Sequence, residues 1–253
     1  VLALYEAGVV EGSLVNGQRV YSPDKSISRA EISKIVWQIN KMDVPAHVIT
    51  FGSHTLDILP GVAANQYDAA LFQWEDGKIG YHSDQVQTLA GVDVSQFQRE
   101  IDWEAVKASG VDFAMIRVGG RGYGNGALYE DTHFEQNIEG ALDAGLEVGV
   151  YFFSQAISVE EAEEEAAYLL ERIEGYEISF PVVFDWEVIG KSNARADNLD
   201  TDTLGACANA FCEAVAAAGY EPMVYVSLNT GYLKYDLRQI DQYDLWLAEY
   251  ADA

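Results

Sequence analysis

Basic side chains are scarce in this chain of 253 residues, where 15 Lys and Arg stand against 41 Asp and Glu. The formal net charge is therefore −26 at pH 7. A field of that sign repels the phosphate backbones of nucleic acids and the surfaces of anionic lipids. The composition thus argues against a nucleic-acid partner.

Long hydrophobic runs are also missing, because no apolar stretch approaches the roughly 18 residues of a membrane-spanning helix. The sequence therefore predicts no membrane span. It begins at Val1 rather than at a Met and shows no signal sequence, so we expect it to be a mature or trimmed piece.

Cysteine is limited to Cys207 and Cys212, which lie five residues apart in a helix-like run. That spacing points the two thiols to different faces of a helix, so we expect no disulfide between them. The chain is nevertheless 49% apolar and 12% aromatic, which is enough to bury a large core. Its length predicts one large domain and a small one.

The first 90 residues predict two small regions. Residues 1–43 read as a helical module, in which two helices flank a loop and Ser28 with Glu31 forms a capping box for the second helix. Residues 44–90 alternate apolar and polar positions in stretches such as "HVITFGSH" and "AALFQWED", broken by Gly, Asp and Asn. This pattern predicts a β-rich connector.

From Gly91 onward, short apolar runs alternate with amphipathic windows. The predicted strands are "GVDVS", "FAMIRVGG", "EVGVYFF", "PVVFDWE", "PMVYVS" and "LWLAEY". The predicted helices cover about 102–109, 131–144, 159–174 and 202–218, and capping boxes open two of them, at Thr132 with Glu135 and at Ser158 with Glu161. This repetition predicts an α/β fold with parallel strands, which an open doubly wound sheet and a closed barrel both satisfy.

The fourth predicted strand ends in acids, with Asp185, Trp186 and Glu187 in consecutive positions. Alternate residues of a strand face the same side, so Asp185 and Glu187 are expected to share one face while Trp186 takes the other. Ligand sites of parallel α/β folds lie at the carboxyl ends of the strands, where these acids fall. The alternative is structural, because strand-end acids also cap a following helix or pair with a cation such as Arg195.

Asp93 ends the first predicted strand in the same way, while Arg117 and Tyr225 lie near the ends of the second and fifth. Three acids could then converge on one cleft. Clustering and burial raise carboxyl pKa values, so one carboxyl can stay protonated and act as a general acid, and cleavage of a glycosidic bond requires such an acid and a second carboxylate. We expect neither a metal nor a cofactor, since the four His residues, at positions 47, 54, 82 and 133, fall outside the strand ends.

The stretch "GVDVSQFQREIDWEAVKASGVDFAMIRVGGRGYG", together with "NIEGALDAGLEVGVYFFSQA", "FPVVFDWE", "PMVYVS" and "LWLAEY", resembles family 25 of the glycoside hydrolases, the lysozyme-type muramidases. The resemblance implies a modified (β/α) barrel over residues 91–253, with six of its eight strands visible. It also implies an enzyme that cuts peptidoglycan glycan strands between N-acetylmuramic acid and N-acetylglucosamine.

The resemblance also implies roles for single residues. Glu187 is expected to be the general acid, and Asp185 is expected to orient or stabilise the 2-acetamido group of the substrate as it attacks the anomeric carbon. Asp93 is expected to be a further acid of the cleft. The residues expected to line the sugar groove are Arg117, Tyr151 and Tyr225.

One departure from the family concerns the end of the chain. Family members continue with a W-Q-Y strand and a V-D-L-N segment that contributes another acid, whereas this chain stops at Ala253. We therefore expect a C-terminally incomplete barrel. The alternative function is a catalytically silent binding or structural protein of the cell surface that has kept a hydrolase scaffold.

The N-terminal stretches "LYEAGVVEG" and "VYSPDKSISRAEISKIV" resemble a single S-layer homology repeat. That resemblance implies binding of a secondary cell-wall polymer through Arg29. The alternative is that Arg29 is a solvated side chain in a helical hairpin used for packing or assembly. With a wall substrate and a wall anchor together, we expect a secreted protein of the bacterial cell surface.

Overall fold

The structure, a computed structural model, describes residues 13–15, 18–20, 48–59, 61–63, 65–75 and 78–248. The chain divides into two compact units, Val1–Ile58 and Leu59–Ala253. The predicted boundaries after residues 43 and 90 remain predictions. Every helix within the described ranges is too short or too polar to traverse a bilayer.

Two antiparallel hairpins are described in the first unit. Strands β1 (Ser13–Val15) and β2 (Gln18–Val20) form one, and β3 (Val48–Phe51) and β4 (His54–Asp57) form the other. The first hairpin occupies the segment that we predicted as a loop, and Asn16-Gly17 between its strands is the dipeptide most typical of hairpin turns. The two predicted helices, and Arg29 with them, lie outside the described residues.

The second unit begins with another antiparallel hairpin, β5 (Phe72–Glu75) and β6 (Lys78–Tyr81). The rings of Phe72 and Tyr81 meet edge to face with centroids 5.0 Å apart, and Tyr67 packs on both. The segment from 44 to 90 therefore carries two hairpins in its described part, β3–β4 and β5–β6.

The main sheet of the second unit contains six parallel strands. In chain order they are β7 (Gly91–Val94), β8 (Phe113–Arg121), β10 (Glu147–Ser154), β11 (Val182–Trp186), β12 (Pro222–Ser227) and β13 (Asp244–Ala248). A short strand, β9 (Leu128–Glu130), pairs antiparallel with β8. The six parallel strands lie side by side in that same order, without the reversal of a doubly wound sheet. All six predicted strands are confirmed, and the sheet is a curled parallel half-barrel.

Helices connect these strands. They are α1 (Trp103–Ala108), α2 (Phe134–Asp143), α3 (Val159–Ile173), α4 (Thr201–Ala217) and the short α5 (Leu228–Leu233). The first four match the predicted windows to within three residues. The cap at Ser158 is confirmed, but the capping box at Thr132 is wrong, because α2 starts after His133 and the Thr132 hydroxyl bonds to Gln96 instead.

The sheet has two apolar faces. The outer face packs against the helices in a large core that includes Ile116, Phe152 and Phe184. The inner face carries a smaller buried cluster of Met115, Tyr151, Val183 and Tyr225. The outer core also contains Cys207 and Cys212, which are both free thiols, as predicted.

Candidate active site

The alternation of β11 separates its last side chains as the sequence predicts. Trp186 is buried in the outer core with 1% of its surface exposed, whereas Val183, two residues before Asp185, belongs to the inner cluster. Asp185 therefore lies on the inner face, and Glu187 directly follows the strand. These acids do not pair with Arg195, which instead holds Glu161 through two contacts of 2.7 Å. The Arg195 alternative is thus excluded.

Asp185 is the least exposed of the three acids Asp93, Asp185 and Glu187, with 6% of its surface exposed. Its Oδ1 atom has no hydrogen-bond partner among the described residues. Burial, and after it the charge of Glu187, raise the pKa of Asp185 well above its ordinary value, while Arg117 opposes the rise. A buried acceptor that lacks a hydrogen bond costs free energy, so this oxygen is suited to accept a hydrogen bond from a bound ligand.

Glu187 and Asp93 complete the group of acids. Burial raises the pKa of Glu187, and the charge of Asp93 adds to that rise. Asp93 lies in β7, and burial raises its pKa as well. The charge of Asp93 also raises the pKa of Asp185, so the first and fourth parallel strands bring their acids to one site. Carboxyls in such a group retain a proton at a higher pH than isolated ones.

Arg117 is the cation of this site, and Asp131 holds it in place. The Nε and Nη2 atoms of Arg117 each lie 2.7 Å from Asp131 Oδ2, and the Asp131 side chain is fully buried. Asp131 also accepts bonds from the backbone N–H groups of Gln96 and His133. The Arg117 guanidinium lies 5.1 Å from the ring centroid of Phe97, which is 73% exposed.

Two of the predicted groove residues form the floor of the half-barrel. Tyr151 and Tyr225 are 9% and 8% exposed, and both contact the edge of Trp246 in β13. The Tyr151 hydroxyl donates a bond of 3.4 Å to the Val94 carbonyl. Burial, and then the charge of Asp93, raise the pKa of Tyr151, so this hydroxyl stays protonated. The two tyrosines are therefore buried on the inner face of the sheet, where Tyr225 is the strand partner of Asp185.

Sequence reasoning missed three residues of this site. Asp131 follows the short strand β9 and was hidden by the mistaken cap at Thr132. Phe97 and Trp246 lie in two of the stretches that resemble the family, and their aromatic side chains were the signal that could have identified them. Arg29 lies outside the described residues. No group of three or more His, Cys, Asp or Glu within the described ranges is arranged to hold a metal ion.

Comparisons with known proteins give the same picture. The sequence pattern of the glycosyl hydrolases family 25 matches residues 92–253. An autolytic lysozyme of Clostridium acetobutylicum is 27% identical over 164 residues, which cover 64% of this chain and 45% of that protein. The chain thus spans less than half the length of this relative.

Two solved structures share the fold. The modular autolysin LytC of Streptococcus pneumoniae is 27% identical with a TM-score of 0.57, over 72% of this chain and 44% of that one. The lysozyme of Streptomyces coelicolor is 26% identical with a TM-score of 0.53, over 66% of this chain and 76% of that one. Because the family pattern covers all of the parallel sheet except Gly91 and includes Asp93, Asp185 and Glu187, the chain belongs to the glycosyl hydrolases family 25.

Proposed function

We propose that the chain is a muramidase that hydrolyses the β-1,4 bond between N-acetylmuramic acid and N-acetylglucosamine in peptidoglycan. The observation that supports the proposal is electrostatic: Asp185 and Glu187 lie at the carboxyl end of β11, and the charge of Asp93 in β7 raises the pKa of both. A glycosidase needs a carboxyl that is still protonated near neutral pH beside a second carboxylate. Family membership and the lysozymes and autolysins among the relatives support the same activity.

In the first step Glu187 acts as the general acid. It donates its proton to the glycosidic oxygen as the bond from that oxygen to the anomeric carbon breaks. The carbonyl oxygen of the 2-acetamido group attacks the same carbon and forms a cyclic intermediate. Asp185 accepts a hydrogen bond from the acetamide N–H, a role that fits its unpartnered Oδ1 atom.

In the second step a water molecule attacks the anomeric carbon and reopens the ring of the intermediate. Glu187, now ionised, accepts the proton of that water, which restores the starting state of the enzyme. Arg117 offers donors to sugar oxygens from a position that Asp131 fixes. Tyr151 and Tyr225 form the floor of the sugar groove in this proposal, which their burial on the inner face of the sheet supports.

Purified cell walls test this proposal. The wild-type protein is expected to clear a wall suspension and to release muramic acid reducing ends. Glu187→Gln removes the transferable proton, so turnover is expected to fall on the order of 10²-fold or more while binding to walls persists. Glu163→Gln, an exposed change in α3, serves as the control and leaves turnover unchanged. Wild-type protein that binds walls tightly but releases no reducing ends would contradict the proposal and favour the silent scaffold.

The location of the protein follows from its substrate, because peptidoglycan lies outside the cytoplasmic membrane. The N-terminal stretch that resembles an S-layer homology repeat would retain the protein at the wall, with Arg29 on an anionic polymer. Arg29→Ala is expected to weaken co-sedimentation with walls in low salt and to have little effect in high salt, because salt screens the contact. Arg19→Ala, in β2 of the same unit, is the matched control. Equal retention of all three proteins in low salt would contradict the anchor.

A further inference from the structure

Gln155 links the ends of the neighbouring strands β10 and β11 at the backbone of Glu187, the proposed general acid. The β10–β11 ladder ends at the pair Ser154 and Trp186, so Gln155 and Glu187 are the next residues along each strand. The Gln155 side chain is fully buried, and its Nε2 atom donates to the Ser154 carbonyl at 2.9 Å and to the Glu187 carbonyl at 3.1 Å. A side-chain amide thus continues the ladder by one residue and restrains the backbone of Glu187.

Gln155 is itself held by a buried ion pair. Glu165 of α3 is fully buried, and its Oε1 atom accepts a bond of 2.8 Å from Arg121 Nε and one of 3.4 Å from the Gln155 backbone N–H. Arg195 donates to the Gln155 carbonyl at 3.3 Å. Both polar groups of the Gln155 main chain therefore have charged partners.

The cost of this arrangement indicates a role beyond stability. A buried ion pair generally loses about as much by desolvation as it gains by attraction, so apolar residues of the same volume would serve a core as well or better. Burial raises the pKa of Glu165 to about 7 in spite of Arg121, which reflects that cost. Glu165 is also separate from the three acids to which the proposed reaction assigns roles.

We propose that the Arg121–Glu165 pair, acting through Gln155, positions Glu187 for proton transfer. The inference rests on the proposed muramidase activity. A general acid must lie within hydrogen-bond reach of the glycosidic oxygen, and a displacement of about 1 Å costs on the order of 10²-fold in rate. Gln155, Glu165 and Arg121 are positioning residues in this assignment, since each acts through the Glu187 backbone and not on the substrate.

The test is Gln155→Met, which keeps the volume of the side chain and removes both of its donated bonds. Two substrates are compared: a peptidoglycan fragment, whose alcohol leaving group needs a proton, and an aryl glycoside of the same sugars, whose phenolate leaves without one. We expect kcat/KM for the fragment to fall on the order of 10-fold or more and kcat/KM for the aryl glycoside to stay nearly unchanged. This parameter ends with departure of the leaving group, so it excludes the later attack of water, for which both substrates need Glu187. A general defect of folding lowers both rates by the same factor, so the ratio of the two rates isolates proton transfer.

Glu165→Gln is the second variant, and it is expected to show the same selective loss. Glu164→Gln is its matched control, because Glu164 also binds Arg121, at 2.7 Å. The Glu164 side chain is 59% exposed, and none of the hydrogen bonds found among the described residues joins it to Gln155. The control is expected to keep the ratio of the wild type. Equal loss on both substrates, or no loss, in Gln155→Met and Glu165→Gln would overturn the inference while the wild-type activity stands. A wild type that cleaves neither substrate would overturn the proposed function and this inference with it.

Discussion

Asp93 contributes a charge whose effect on its neighbours can be measured. It raises the pKa of both Asp185 and Glu187, because a nearby negative charge disfavours the ionised form of a carboxyl. Asp93→Asn removes that charge, so the alkaline limb of the pH–rate profile is expected to move to lower pH. Asp143→Asn, an exposed change in α2, is expected to leave the limb in place. A limb that stays fixed in Asp93→Asn, or moves upward, would contradict the proposed coupling.

Asp185 is expected to act on the reaction through its charge and its free oxygen. Asp185→Asn keeps the volume of the side chain but replaces one acceptor oxygen by a donor group. It can no longer stabilise the acetamide during attack, so turnover is expected to fall on the order of 10²-fold on substrates that carry the 2-acetamido group. Thermal unfolding is expected to shift upward or stay constant, since a buried acid without a full set of partners is removed. A variant that unfolds at lower temperature and keeps full turnover would argue for a structural Asp185.

At the scale of the element, Gly119 fixes the approach of β9 to β8. A Cβ atom at Gly119 would lie 2.2 Å from the Tyr129 carbonyl oxygen, which belongs to the backbone and cannot move aside as a side chain can. Gly119→Ala is therefore expected to lower the free energy of unfolding by about 1–3 kcal/mol. It should also reduce activity, because β9 leads to Asp131, which holds Arg117.

The control for Gly119 is a glycine in α5. A Cβ atom at Gly231 would meet only Val226 at 3.8 Å, an ordinary contact, and alanine is the better helix former. Gly231→Ala is expected to leave the free energy of unfolding unchanged or to raise it by up to about 1 kcal/mol. Chemical denaturation of both variants checks the pair, and equal stability of the two would remove the argument from backbone contact.

The parallel strands could be predicted because strands buried on both faces read as continuous apolar runs. The shared face of Asp185 and Glu187 could be predicted because residues two positions apart on a strand point to the same side of the sheet. The Arg121–Glu165 pair could not, since it joins residues 44 positions apart. Within "VEEAEEEAAYLLERI", one acid falls on the same buried side as Ala162, Ala166 and Leu169. That position was the available signal, but only tertiary packing decides which acid is covered.

At the scale of the whole molecule, four acids whose pKa values are raised by folding contribute to the pH dependence of stability. The pKa values of Asp93, Glu165, Asp185 and Glu187 are all raised in the folded state, Glu165 to about 7. Between the ordinary and the raised values the folded protein binds more protons than the unfolded chain, so the free energy of unfolding falls as pH rises. The melting temperature is therefore expected to be higher at pH 5.5 than at pH 8.

The net charge of −26 acts in the same direction, since repulsion among exposed carboxylates grows as they ionise. Salt separates the two causes, because it screens exposed charges far more than buried ones. At roughly 0.5 M sodium chloride the Debye length is roughly 4 Å. In that buffer the melting temperature at pH 8 is expected to rise, while part of its pH dependence remains. A melting temperature that increases from pH 5.5 to pH 8 would contradict the raised pKa values.

The order of the parallel sheet has a consequence for how the protein is made. Each of the six strands lies beside the one that precedes it in the chain, so the sheet can grow by one edge as the polypeptide leaves the ribosome. Asp93 is synthesised with the first strand, whereas Asp185 and Glu187 arrive with the fourth. The site therefore holds Asp93, Asp185 and Glu187 together only after four strands have docked, so a shorter nascent chain lacks the acids to which the proposed reaction assigns roles.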